Sequence, residues 1–162
     1  MRVGFAIVLL AGLAGCKADQ PMLTDANAPL DTTCVSPHAD MIVDFFPTSL
    51  ANPAAALRAP DGMTVTLAKD NVLTVGFVGL GGVTDAPGFD VRVHGVIEAG
   101  ASALVDAAGT EMDFVYAQTL TPTVTDIDVA VAEKNPALYV RVTVVAGTLR
   151  IDAFEATHDT CQ

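Results

Sequence analysis

Three aspartates carry the most chemistry in this chain of 162 residues: Asp61, Asp85 and Asp90. Asp85 and Asp90 bracket the loop Asp85-Ala86-Pro87-Gly88-Phe89-Asp90, and Asp61 sits in the turn Ala59-Pro60-Asp61-Gly62. Carboxylates in such turns supply hard oxygen ligands for calcium, with loop carbonyls and waters completing the shell. Turn chemistry alone also puts Asp and Pro-Gly in loops, and there is no Asp-x-Asp-x-Asp-Gly loop. A second set follows directly. Val91-Arg92-Val93-His94 alternates, so Arg92 and His94 share the polar side of a strand. They suit a ligand's hydroxyls or carboxylate; the alternative is a solvated face. Tyr116 and Tyr139 are the best stacking candidates, or else buried rings with the hydroxyl at the rim.

Catalytic patterns are missing from the sequence. It has neither Gly-x-Ser-x-Gly nor His-Glu-x-x-His. His38, His94 and His158 are scattered, and Asp126 and Asp128, two apart on a strand, share its exposed face and read as solubility. Gly79-Leu80-Gly81-Gly82 lacks the G-x-G-x-x-G spacing and opens no helix, which argues against a phosphate cradle. The expectation is a protein that is not an enzyme. A formal charge of −11 excludes nucleic acid as a partner, since phosphate binding needs clustered Lys and Arg. It also opposes attraction to anionic lipids.

The N-terminus sets an address. Met1-Arg2 is positive, Val3 to Leu13 is apolar, and Leu13-Ala14-Gly15-Cys16 ends in small residues, the pattern of a secretory signal peptide. The apolar run is shorter than the roughly 20 residues of a transmembrane helix. Leu-Ala-Gly-Cys resembles the bacterial lipobox, in which the Cys is acylated and becomes the new N-terminus. The resemblance covers residues 1–16 and implies a lipid bilayer partner through Cys16, with anchoring strengthened by roughly 0.8 kcal/mol per buried CH₂. Lys17 after the Cys, by analogy with enterobacterial sorting, points to the outer membrane. Residues 16–33 hold Pro21, Pro29 and several Asp and Thr without an apolar period, as a flexible tether does.

Cys34 and Cys161 stand at the two ends of the remaining segment, 34–162. In an oxidising compartment such a pair reads as a disulfide. Two free thiols, or a metal site with the nearby His38 and His158, are the alternatives. A bridge closing about 127 residues would stabilise by about 4–5 kcal/mol in the chain-entropy treatment, and would place the first and last strands side by side.

Between the cysteines the chain reads as short strands. Met41–Phe46 stops at Pro47; Asn52-Pro53-Ala54-Ala55-Ala56-Leu57 reads as a helical turn or two with Asn52 as N-cap. Met63–Leu67 and Val72–Val78 flank a hairpin-like turn at Lys69-Asp70-Asn71. Val91–His94, Ala101–Val105, Asp113–Tyr116, Thr125–Val131, Leu138–Val144 and Leu149–Glu155 follow, with turns at Asp106–Gly109 and Gly147. Strands at such intervals, each with one wet face, predict an all-β fold: an antiparallel β-sandwich.

The order Asn52–Leu57, Ala59–Gly62, Val72–Val78, Asp85–Val93, Tyr139–Val142 and Ile151–Phe154 resembles the galactose-binding-like jelly roll of discoidin domains and several carbohydrate-binding modules. The resemblance spans about residues 40–156. It implies a jelly roll with adjacent termini, a structural Ca2+ near the last strand, which Glu155 would join with Asp61, Asp85 and Asp90, and loops at one end that bind sugar. Arg92, His94 and Tyr139 are then the candidate ligand contacts. Arg58 stands where such relatives often have Gly, and Trp is absent. The expected function is a non-catalytic, envelope-anchored lipoprotein that binds carbohydrate, with an interaction lipoprotein contacting an envelope protein as the alternative.

Overall fold

Alternation with a period of two decides which face of each strand is buried, and here it places one apolar face of each sheet against the other. A computed structural model describes residues 36–129 and 136–158, all within one compact unit. Cys16, Cys34 and Cys161 lie outside the described residues, so the lipidation and the disulfide are expectations that the described fold does not reach.

The described strands are β1 (Met41–Phe46), β2 (Val65–Ala68), β3 (Val72–Gly76), β4 (Val91–Ile97), β5 (Ser102–Ala108), β6 (Val115–Leu120), β7 (Asp126–Ile127), β8 (Tyr139–Ala146) and β9 (Thr148–Ala156), with a 3₁₀ helix over Pro53–Ala56. A five-stranded sheet has the order β1-β3-β8-β5-β6 and a four-stranded sheet the order β2-β9-β4-β7. Neighbouring strands pair antiparallel throughout. The all-β antiparallel sandwich is thus observed.

One core lies between the sheets. Leu73, Val75, Val105, Val140, Val142 and Val144 reach it from the five-stranded sheet, and Val65, Leu67, Val91, Val93, Leu149, Ile151 and Phe154 from the other. Burial of each such large side chain stabilises by roughly 1.5–3 kcal/mol. The ends of the sandwich are joined by backbone: Ala39 N–H donates to the Phe154 carbonyl at 3.0 Å and Ala156 N–H to that of Pro37 at 2.7 Å. The segment before β1 therefore runs antiparallel to the end of β9, with His38 opposite Glu155.

Four local expectations are corrected. Lys69-Asp70-Asn71 joins no hairpin: β2 pairs with β9 and β3 with β1 and β8, so this turn carries the chain from one sheet to the other. The expected turn at Asp106–Gly109 starts later, because β5 continues to Ala108 along β8, with Asp106 opposite Arg141. The strand expected over 125–131 is only Asp126–Ile127 among the described residues. Asn52 does not cap the helix with its side chain; it adopts a left-handed backbone with φ 53°. The helix it precedes closes i→i+3 bonds, Ala55 N–H to Asn52 and Leu57 N–H to Ala54, and ends where Leu57 turns extended.

Candidate functional site

The acidic loop closes one edge of the four-stranded sheet. Asp90 is the last residue before β4, and its carboxylate is fully buried. A buried carboxylate needs donors, and the loop supplies them: Ala86 N–H donates to Oδ1 at 3.0 Å and Val129 N–H to Oδ2 at 2.8 Å. The Asp90 backbone is held as well, its N–H donating to Ile127 and its carbonyl accepting from Thr157. The Thr157 hydroxyl donates to the Phe89 carbonyl. Thus one aspartate ties the loop to the chain after β7 and to the end of β9.

Two further carboxylates converge on it. Oxygens of Asp85, Asp90 and Asp128 all lie within 4.8 Å of one another. Burial pushes the pKa of Asp90 up, the two backbone hydrogen bonds oppose that, and the charges of Asp128 and Asp85 add to it. His158 Nε2 stands 3.9 Å from Asp90 Oδ1. Calcium binds oxygens at about 2.3–2.6 Å, so ligand oxygens on opposite sides of one ion stand about 5 Å apart at most. The spread of the three carboxylates fits that limit, and their oxygen-only chemistry fits a hard cation. They would contribute part of a shell that carbonyls and waters complete.

Of the four residues expected to hold calcium, the fold brings Asp85 and Asp90 together and leaves Asp61 and Glu155 out of the group. Asp61 Oδ1 accepts from Met63 N–H at 2.8 Å, and the Asp61 and Gly62 N–H groups donate to Asp152 at 3.1 and 3.0 Å. Glu155 Oε2 stands 2.6 Å from His94 Nε2. Asp128 is the member that sequence reasoning missed. The signal was the pair Asp126 and Asp128, set aside as one exposed strand face. β7 ends at Ile127, so the two acids part: Asp126 pairs with Arg92 and Asp128 joins the loop.

Arg92, His94 and Tyr139 do not meet. Val91 and Val93 are buried, which sends Arg92 and His94 to the outer face of the four-stranded sheet. There Arg92 Nε donates to Asp126 at 3.0 Å, His94 pairs with Glu155, and His38 lies opposite Glu155 on the adjoining segment. Burial lowers the pKa of His38; Glu155 opposes this and His94 reinforces it. Tyr139 precedes the buried Val140 and so faces outward from the other sheet. On that face Arg141 pairs with Asp106 at 2.7 Å and lies 4.1 Å over the Phe114 ring, and the Tyr116 hydroxyl bonds Thr119.

A recess of about 280 Å³ opens beside the 3₁₀ helix, lined by Ala54, Ala55, Leu57, Arg58, Asp61 and Met63. Sequence reading noted Arg58 only as a departure from glycine; the backbone there has φ 71°.

No protein-family model, curated protein or solved structure matches the chain.

Proposed function

We propose that the chain is a non-catalytic binding module of the cell envelope, anchored to the outer membrane through acylated Cys16, that binds carbohydrate and is braced by calcium at its acidic loop. The observation that carries the reading is the convergence of Asp85, Asp90 and Asp128 within 4.8 Å at one edge of an antiparallel sandwich. The charges of the exposed Asp85 and Asp128 work against ionisation of the buried Asp90, and a divalent cation would reverse that penalty. A braced loop on a rigid sandwich is how many binding sites are positioned. The galactose-binding-like jelly-roll resemblance supports the same reading.

The test is a melting series on the chain from Lys17 onward with calcium, magnesium, EDTA and a sugar panel. Calcium at 100 times its Kd adds about 2.7 kcal/mol, read as a rise of roughly 2–6 °C for a domain of this size. Equal melting in calcium and EDTA rejects the calcium brace. Failure of every sugar to raise the melting point rejects carbohydrate as the ligand.

A second reading is an interaction lipoprotein that contacts an envelope protein. It is favoured by the outer face of the five-stranded sheet, where Leu104, Tyr116 and Val145 are 39%, 56% and 46% exposed. Exposed apolar side chains on one sheet face suit a protein partner.

A further inference from the structure

We infer that the recess beside Arg58 is the binding site for a single neutral sugar unit, an inference that rests on the carbohydrate-binding function proposed above. Its volume of about 280 Å³ falls just below the range of small-molecule sites, about 300 to 1,000 Å³. That suits one ring rather than a long ligand.

The backbone of Arg58 is the first pointer. At φ 71° it lies in the left-handed region, where glycine is at ease and long side chains are rare. Glycine would make the same N–H bond to the Ala39 carbonyl, 2.9 Å away. A guanidinium kept at such a position argues for a use of the side chain, because backbone strain concentrates at functional sites. Nor is that use an internal ion pair. Among the described residues Arg58 has no acid within 4 Å, whereas Arg92 and Arg141 each hold an aspartate, at 3.0 and 2.7 Å.

The walls supply the complement. Asp61 Oδ1 is engaged by Met63 N–H, and Oδ2 has no partner among the described residues. The turn that presents it is pinned by two N–H bonds to Asp152. A fork of donors and a fixed acceptor therefore share one recess with apolar walls of Ala54, Ala55, Leu57 and Met63. A sugar ring has the matching chemistry: hydroxyls that accept from Arg58 and donate to Asp61, and a C–H face for the apolar walls. Met63, 57% exposed, takes the place of an aromatic platform. The carboxylate of Asp61 in the recess, and a net charge of −11, disfavour an anionic ligand. Arg58 disfavours a cationic one.

The experiment is calorimetric titration of the full chain in detergent, with ¹H–¹⁵N spectra of the same samples. The probes are galactose, glucose, mannose and N-acetylglucosamine, with glucuronate as the anionic comparison. The expected result is binding of a neutral sugar with shifts confined to residues 54–63. Arg58→Gly should melt no lower than wild type and bind that sugar roughly tenfold or more weakly, a loss of hydrogen bonds to a charged group. Asp61→Asn should weaken it in the same direction. If wild type binds a neutral sugar and Arg58→Gly binds it equally well, the inference falls and carbohydrate binding stands. Preference for glucuronate overturns the neutral class. Binding of no sugar by wild type overturns this inference and the carbohydrate reading together.

Discussion

At the scale of single residues, Asp90 and Asp128 occupy one acidic group in opposite structural circumstances. Both oxygens of the buried Asp90 accept backbone N–H bonds. Asp90→Asn turns an NH₂ toward one of those donors and leaves it unsatisfied, which costs about 1–3 kcal/mol in calcium-free buffer. Asp128 is exposed and adds like charge to the group. Asp128→Asn should therefore melt no lower than wild type in EDTA and lose the rise that calcium produces. Melting curves of the two variants with and without calcium check both; a full calcium response in Asp128→Asn removes that residue from the site. Titration adds a signed test. His38 has its folded pKa below the ordinary 6.5, so its contribution to stability is present above 6.5 and is lost as pH falls through the lowered value. His38→Gln should flatten the decline in melting temperature on acidification from that point, and an unchanged slope would show that other groups set it. Asp90 acts in the other sense. Its pKa is raised above 3.8, so its contribution is present below 3.8 and is lost as pH rises through the raised value.

At the scale of elements, the bulge between His94 and Gly95 shows why a glycine sits inside a strand. β4 pairs with β9 in one register through His94, which sets Arg92 opposite Glu155, and in another from Gly95, which sets Ile97 opposite Leu149. Gly95 has φ 146°, and an added Cβ would stand 2.1 Å from the Arg150 carbonyl oxygen. Gly95→Ala should destabilise by about 2 kcal/mol or more, since backbone must move and the bulge is lost; denaturant unfolding measures it, and a change below about 0.5 kcal/mol would mean that the ladder shifts freely. The alternation of Val91-Arg92-Val93-His94 was legible because side-chain direction is a local property of a strand. The partner of a strand is not local. Lys69-Asp70-Asn71 has turn residues, and a turn looks the same whether it closes a hairpin or crosses between sheets. The same limit hid Asp128: its neighbours in sequence suggested a strand face, and its neighbours in space are Asp85 and Asp90, about 40 residues away. Asp61 and Glu155 stand apart from that group for the converse reason, each meeting a partner, Asp152 or His94, that no spacing rule connects to it.

At the scale of the whole molecule, the closing contacts are those between the beginning and the end of the sandwich. Pro37–Ala39 pairs with Phe154–Ala156 through two backbone hydrogen bonds, and the fully buried Ala39 and Phe154 fall within that pairing. Cys34 and Cys161 lie three and five residues beyond Pro37 and Ala156, outside the described residues. That short chain separation supports a bridge between them as a proposal, because few residues must be ordered to bring the sulfurs together. A bridge there would act chiefly on the unfolded chain, by closing a loop of about 127 residues, and would stabilise by about 4–5 kcal/mol. Cys34→Ser, Cys161→Ser and the double variant should melt lower than wild type by the same amount, because each removes one and the same cross-link. Reduction of wild type should bring it to the level of the variants. Thiol counting on the unfolded chain from Lys17 onward should find none before reduction and two after. Two reactive thiols before reduction, with all four proteins melting alike, would mean that the backbone pairing of Pro37–Ala39 with β9 holds the two ends together unaided.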